Sequence, residues 1–364
     1  MPRDYIIVPM SLLSLYAGPA AFKRISAEGL HADQFAVLLA ASGGPKWFVL
    51  YGLDRYLFGE FFQGSNKPVD TLGSSAGAWR MSCLATADPL GAIDALAVGY
   101  SEQTYSAAPD EAEITGKMRL MLAEVLGPTG AREISRNKRF RTHIIADRCK
   151  GIGNSRSRAM QAGFLGLSAC ANVVSRSALS LFFQRTIFTP SVSQSPWADL
   201  ADLDSTLAEL TETNLLDVLI ASGSIPFVLS GVRDIEGARQ GLYWDGGITD
   251  YHFDFPFHHG NDLVLYPHFS PRVVPGWFDK HLPWRKPEQK HFDNVLMLVP
   301  SQEFVDSLPN RKIPDRTDFE AYPEQDRLQI WREVLDRSKE LGEELRQLVQ
   351  SGEGLDNMVL LDQF

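Results

Sequence analysis

Residues 69–79 read VDTLGSSAGAW, and this stretch decides the fold that we expect of the chain. A G-x-S-x-G motif stands here between a short run typical of a strand and a run compatible with a helix. In that setting Gly73 and Gly77 allow a strand to turn sharply into a helix, with Ser75 raised at the apex. Because such a turn is crowded, the small residues on both sides of Ser75 meet a steric need. The motif is common by chance, so its meaning depends on the rest of the chain.

The same strand-turn-helix pattern occurs one unit earlier. Residues 35–41 (FAVLLAA) form a continuous apolar run, as expected of a parallel strand that is buried on both faces. The glycine turn at residues 42–46 (SGGPK) follows at once, and helical spacing then resumes over residues 47–62. Two such units in succession predict parallel strands with right-handed crossovers. We therefore expect an α/β fold of three layers, α/β/α, with a mostly parallel central sheet.

The remaining apolar runs extend this sheet and its helices. Residues 159–183 are apolar but interrupted by polar side chains, which is compatible with a helical pair in the core or with an amphipathic lid that meets lipid. The lack of a clean apolar stripe favours the core. We expect one domain over residues 1–364, with a motif-bearing core at about 36–267 and a C-terminal strand and charged helix at about 294–350 packed on it. Strands are predicted at 141–147, 263–267 and 294–299, and helices at 20–29, 91–100, 112–126, 203–219 and after Pro323.

Composition narrows the class of protein. The chain has 364 residues, 44% of them hydrophobic, which is ordinary for a globular protein. A net charge of −10 argues against nucleic acid as a partner. Cys83, Cys149 and Cys170 are few and widely spaced, so neither a disulfide framework nor a zinc pattern is indicated. The apolar residues 6–16 resemble a signal peptide only loosely, because Asp4 and Pro9 interrupt its pattern. We expect a cytoplasmic protein without a membrane-spanning helix.

The basic residues are concentrated in one segment. Residues 132–185 contain eleven lysines and arginines but two acidic residues. Such a block in an acidic chain is typical of a surface for an anionic partner, or of a face that water solvates. The first interpretation predicts peripheral contact with an anionic membrane through residues 132–185.

The chain also contains what a nucleophilic serine needs. A serine hydroxyl becomes reactive when a positioned base takes its proton, and the reaction needs donors aimed at the developing oxyanion. Gly43 and Gly44 can present backbone N–H groups, and Lys46 adds a positive charge close by. The Ala76 amide, at a helix N-terminus, is a further donor. Asp245 lies in a D-G-G block, where flexible backbone lets a carboxylate reach into a cleft.

Four blocks in this order, SGGPK, GSSAG, ASGSIP and DGG, resemble the patatin-like phospholipase family over roughly residues 36–267. The strand THIIADRCKG is similar to the one before that family's variable middle. The resemblance implies a serine–aspartate dyad of Ser75 and Asp245 and a glycine-rich oxyanion loop at Gly43 and Gly44. It implies a lipid acyl hydrolase, such as a phospholipase, lysophospholipase or esterase, which needs no cofactor or metal. The loop departs from the family pattern, because only two glycines stand between Ser42 and Pro45.

Other functions remain open at this stage. A Ser-His-Asp esterase of the α/β-hydrolase type would use His258 or His268, but that fold places more strands before its elbow than this chain has room for. An acyltransferase shares the elbow, and the altered glycine loop is compatible with a catalytically inactive lipid-binding protein. The histidines 252, 258, 259 and 268 are clustered, but they lack the spacing of a helical metal site. No metal or cofactor is therefore expected.

Overall fold

A computed structural model describes residues 11–257 and 260–361. Within these ranges eleven strands form one sheet, in the order β11-β1-β10-β9-β2-β3-β4-β5-β6, with β8 pairing with β4 and β7 with β8. The five neighbours from β10 to β4 are all parallel, whereas β1 and β5 join them in antiparallel pairs. The strands are β1 (Leu13–Ala17), β2 (Phe35–Ala40), β3 (Val69–Ser74), β4 (Phe140–Cys149), β5 (Phe183–Thr189), β6 (Ser205–Glu209), β7 (Val232–Arg233), β8 (Leu242–Asp245), β9 (Leu263–Pro267), β10 (Val295–Pro300) and β11 (Val359–Leu360).

Helices cover the two faces of this sheet. Every residue of β2, β3, β9 and β10 is buried, as is required of parallel strands with a helical layer on each side. The mixed α/β fold, its three layers and its mostly parallel sheet confirm the predicted fold class. The helices are α1 (Pro19–Glu28), α2 (Tyr51–Tyr56), α3 (Ala76–Leu84), α4 (Pro89–Ser101), α5 (Glu111–Leu126), α6 (Gly130–Arg136), α7 (Arg158–Val174), α8 (Leu215–Ser222), α9 (Gln302–Ser307), α10 (Asp318–Ala321) and α11 (Glu324–Ser351).

The C-terminal elements complete both the sheet and one helical layer. Strand β10 lies between β9 and β1, so the core is continuous from the first described strand to the C-terminal part of the chain. Helix α11 packs closely on α2, where the Gly52 amide donates to Ser338 Oγ at 3.0 Å. A Cβ on Gly342 would lie 2.2 Å from the Gly52 carbonyl oxygen, so this helix crossing requires glycine.

Two helices predicted from periodicity are wrong in part. Residues 203–219 divide into β6 and α8, because Thr211 and Asn214 form a hydrogen-bonded turn between them, with the Thr211 amide donating to Asn214 Oδ1 at 2.8 Å. Residues 47–62 are helical but irregular. The Gly44–Leu50 segment is a 3₁₀ helix, α2 follows it, and the Leu57–Phe61 segment then widens into a π-helical turn.

The prediction that residues 159–183 lie in the core is also wrong. Helix α7 occupies most of this stretch and buries only Phe164, Ser168 and Asn172. Val174 is 87% exposed, and Leu181, beyond the end of the helix, is 76% exposed. The buried residues recur every four positions, so one narrow stripe faces the protein and the apolar remainder faces solvent. None of the helices in the described ranges is long and apolar enough to cross a membrane.

Candidate active site

Ser75 lies at the sharp turn between β3 and α3. Its backbone has φ 56° and ψ −134°, a strained conformation for a residue with a side chain. The turn depends on its two glycines, because a Cβ on Gly77 would lie 2.0 Å from the Ala40 carbonyl oxygen and one on Gly73 would lie 2.5 Å from the Ala78 nitrogen. Both distances are far below van der Waals contact with backbone atoms that cannot move aside. The predicted elbow is present, and it raises the serine above the end of the parallel strands.

Asp245 stands directly opposite this serine. Strand β8 ends at Asp245 and pairs with β4, which is itself the parallel neighbour of β3. Ser75 Oγ donates a hydrogen bond to Asp245 Oδ2 at 2.8 Å, although the two residues are 170 positions apart in the chain. The other carboxylate oxygen, Oδ1, accepts from the Gly247 amide at 2.7 Å. The D-G-G turn thus holds the carboxylate in one orientation toward the serine.

Burial adjusts the proton affinity of this carboxylate. Asp245 and Ser75 are each only 6% exposed. Burial raises the pKa of Asp245 above its ordinary value, and the hydrogen bonds from Gly247 and Ser75 offset part of that effect. A carboxylate with a raised pKa is a stronger base, which is the property that proton removal from a hydroxyl demands.

The turn after α8 fixes both members of this pair. Ser222 Oγ accepts from the Ser75 amide at 2.9 Å and donates to the Ile145 carbonyl on β4 at 2.7 Å. The Asp245 amide donates to the Ser224 carbonyl at 2.8 Å. Both serines belong to the ASGSIP block of the sequence. They bind the backbone of Ser75 and Asp245, and so they set the distance between the two residues.

Three backbone amides are available for a developing oxyanion. Gly43 and Gly44 line a small cavity together with Ser75 and Asp245. Within the described part of the chain, the N–H groups of Gly43, Gly44 and Ala76 have no hydrogen-bond acceptor. Gly44 has φ +56°, and a Cβ on Gly43 would lie 2.6 Å from a ring carbon of Phe269, so neither position accepts a side chain without strain. The shortened glycine loop therefore leaves free donors beside the serine.

Lys46 lies behind this loop and does not line the cavity. Its ammonium group is 5.2 Å from the centre of the Phe269 ring, a cation–π contact. Burial lowers the pKa of Lys46 below that of an ordinary lysine. The structure therefore brings five of the six predicted site residues together around the serine, with Lys46 one layer further out.

Two residues of the cavity wall, Trp277 and Arg316, lie outside every block that the sequence marks as part of a site. Arg316 lies in the loop before α10, and Trp277 begins a short 3₁₀ helix, Trp277–His281. No motif marks either residue. The prolines between residues 271 and 287 indicate a loop around Trp277, and they do not indicate that this loop reaches the cavity.

The histidines within the described ranges do not contact the serine. His252 Nδ1 accepts from the Val274 amide at 3.0 Å, and His268 Nδ1 lies next to the Ser270 carbonyl. Burial lowers the pKa of His268 to about 3, so this ring is neutral. The other triad candidate, His258, and its neighbour His259 lie outside the described residues. Across residues 11–257 and 260–361, no group of three or more acidic, histidine or cysteine side chains is placed to hold a metal ion.

Comparisons with known proteins show distant structural similarity without a sequence match. No protein-family model matches the chain, and no curated protein sequence matches it. Among solved structures, VipD from Legionella pneumophila is similar over 96% of this chain and 75% of its own, at 12% identity and a TM-score of 0.41. A similarity of this degree carries no information about chemistry, which rests on the geometry of the site alone.

Proposed function

We propose that this protein is a serine acyl hydrolase that cleaves lipid esters through a Ser75–Asp245 dyad. The observation that carries the proposal is the 2.8 Å hydrogen bond from Ser75 Oγ to Asp245 at a strained elbow. The resemblance of four ordered sequence blocks to patatin-like phospholipases supports the same conclusion.

The reaction follows from the positions of the donors and the base. Asp245 takes the hydroxyl proton as Ser75 Oγ attacks the ester carbonyl carbon, and the carbonyl oxygen becomes an oxyanion. The amides of Gly43, Gly44 and Ala76 stabilise that charge. As the tetrahedral intermediate collapses, the bond to the leaving alkoxide breaks and Asp245 returns the proton to it. Water then attacks the acyl-enzyme by the same route and releases the carboxylic acid.

A fluorophosphonate probe tests the nucleophile. We expect the wild-type protein to be labelled and Ser75→Ala to be unlabelled while remaining folded. Ser82→Ala is the matched control, because Ser82 is a buried serine on the same helix and donates only to the Ala78 carbonyl, at 2.9 Å. Labelling that persists in Ser75→Ala contradicts the proposal. A folded wild-type protein that resists the probe favours the lipid-binding alternative.

The exposed apolar surface indicates where a lipid layer would meet the protein. The helix α7 has a single charged residue, Arg158, and its buried stripe packs toward the catalytic cavity. Asn172 Nδ2 donates to Asp279 Oδ1 at 2.7 Å, within the 3₁₀ helix that begins with Trp277 of the cavity wall. The α7 face consists of the exposed apolar side chains of Leu167, Val173 and Val174.

The basic segment contributes less to such contact than its charge count indicates. Six of its eleven basic residues form ion pairs with acidic residues of this chain: Arg136, Arg141, Lys150, Arg158, Arg176 and Arg185. Arg185 is fully buried and binds Asp202 and Asp250. Much of this charge therefore holds the fold together. The membrane contact that we propose involves mainly the α7 face, through apolar insertion.

Vesicle binding tests this surface. We expect the double variant Leu167→Asp and Val174→Asp to lose about tenfold or more in affinity for phosphatidylcholine vesicles, because two apolar side chains no longer enter the lipid. Leu120→Asp is the matched control, since Leu120 is 66% exposed on α5. Sedimentation with neutral vesicles and with vesicles containing phosphatidylglycerol separates apolar from electrostatic binding. Equal binding by all variants excludes the α7 face.

A further inference from the structure

Arg316 is a positively charged side chain in the wall of the catalytic cavity. It lines the same space as Ser75 and Asp245. Its aliphatic part lies over the glycine loop, because a Cβ on Gly44 would be 3.5 Å from Arg316 Cγ and 3.7 Å from Cδ. Among the described residues its guanidinium group has no hydrogen bond and no ion pair. A half-buried arginine without an anionic partner, beside a nucleophile, is a group that a ligand can satisfy.

Two lysines add to the positive charge around this arginine. Burial first, and then the charges of Arg316 and Lys46, lower the pKa of Lys280 to about 7. The Lys280 ammonium lies 3.8 Å from the centre of the Tyr251 ring, and Tyr251 also lines the cavity. Neither Lys46 nor Lys280 has an ion pair within residues 11–257 and 260–361.

The acidic side chains near these cations are already bound elsewhere. Asp315 accepts from the Thr317 amide at 2.8 Å and forms an ion pair with Lys312 at 3.3 Å. Asp245 is bound to Ser75 and Gly247. Among the described residues Arg316 therefore has no free carboxylate to pair with, so an anionic ligand at this wall would not compete with one.

We propose that Arg316 determines substrate specificity by binding an anionic oxygen group of the substrate, a phosphate or a carboxylate, beside the scissile ester. This inference rests on the proposed acyl hydrolase function and narrows its substrates to acidic esters. The planar guanidinium donates two parallel hydrogen bonds to such a group. Lys280, whose ammonium group contacts the Tyr251 ring of the cavity wall, adds charge without that geometry. The acyl carbonyl then faces Ser75 and the free amides of the glycine loop.

Matched esters test the assignment. The three substrates share one octanoyl chain and carry it on glycerol 3-phosphate, on lactate or on glycerol, so they differ in the anionic group. We expect Arg316→Gln to lower kcat/KM for the phosphate ester by about 10- to 100-fold, mainly through KM, as for the loss of charge-assisted hydrogen bonds. The neutral ester keeps its rate. Arg316→Lys is intermediate, because it retains the charge and loses the planar fork.

The control is Arg311→Gln, which removes an exposed arginine five positions earlier in the same loop. If Arg316→Gln lowers kcat/KM for the phosphate ester alone, Arg316 binds phosphate. If it lowers kcat/KM for both acidic esters, Arg316 binds either anion. An equal loss on the neutral ester, or no loss on any ester, overturns the proposal. If no ester is cleaved and the probe does not label Ser75, the proposed function fails. Octyl phosphate binding, measured by titration calorimetry, then decides: weaker binding in Arg316→Gln supports the subsite, and equal binding or none overturns it.

Discussion

Replacing Asp245 with asparagine removes the proposed general base and keeps the shape of the side chain. Asparagine has the same shape, and its Oδ1 still accepts the hydrogen bond that the Gly247 amide now donates to Asp245 Oδ1 at 2.7 Å. Its amide group, however, cannot take the Ser75 proton at 2.8 Å. General base catalysis contributes about 10²- to 10⁴-fold. We therefore expect kcat of Asp245→Asn to fall by that factor, which is about 3 to 5 kcal/mol in the activation barrier, with little change in KM.

The pH dependence of the activity gives an independent test of the role of Asp245. Only the ionised carboxylate of Asp245 accepts a proton, so we expect wild-type activity above its pKa in the folded protein and a loss of activity as the pH falls through that pKa. Because burial raises this pKa, the acid limb of the pH–rate profile, where activity is lost, lies at a higher pH than for an ordinary carboxyl group. The Asp245→Asn variant keeps a small rate without that limb. It also unfolds at the same or a higher temperature, since it no longer buries an ionisable group.

Initial rates of p-nitrophenyl ester hydrolysis, measured from about pH 4 to 9, check both expectations. Asp147→Asn is the matched control, because Asp147 is a fully buried carboxylate on β4 that lies outside the cavity wall. Near-ultraviolet circular dichroism verifies that each variant is folded. Activity of Asp245→Asn within a factor of about ten of the wild type refutes the reasoning.

Three further predictions follow from buried contacts. Gly77→Ala places a Cβ 2.0 Å from the Ala40 carbonyl oxygen, so we expect little soluble protein and no probe labelling in expression trials. Burial raises the pKa of Asp147 well above its ordinary value, so the folded protein holds a proton that the unfolded chain releases above about pH 4. Stability therefore falls as the pH rises toward the folded pKa, by up to about 1.4 kcal/mol per pH unit, and Asp147→Asn removes that slope in urea unfolding. We expect His268→Asn to retain esterase activity. If a folded His268→Asn variant loses that activity, a Ser-His-Asp triad is favoured instead.

The elbow and the central strands were predictable because their causes are local. Gly73 and Gly77 are required by atoms within or directly beside the turn, and those steric demands are visible as small residues in the sequence. The strands β2 and β9 are short continuous apolar runs, and β9 was predicted with its observed bounds, residues 263–267. The D-G-G block has a similar origin, since Asp245 binds the amide two residues later. The resemblance to a known family added the pairing of Ser75 with Asp245.

The burial of residues 159–183 could not be predicted from the local sequence. Their apolar composition is compatible with a core helix, but no element within residues 11–257 and 260–361 covers Val174 and Leu181, which are exposed. Residues 203–219 similarly contain both a strand and a helix, because β5 offers β6 a parallel edge for pairing. Strand pairing and the burial of a helix face depend on distant parts of the chain, so periodicity within one segment does not predict them.

By itself the sequence determined the fold class and predicted the elbow at Ser75 and the glycine loop, because turns and buried strands obey short-range steric rules. The pairing of Asp245 with Ser75 came from the resemblance to a known family. Only the tertiary structure decided the rest of the site. It brings Arg316 over Gly44 and Lys280 toward Tyr251, although these positions are separated by hundreds of residues or by several loops. It also shows that much of the basic segment is neutralised internally. The physical reason is that the electrostatic potential in a cavity depends on which charged side chains lie around it, and tertiary packing decides which ones do.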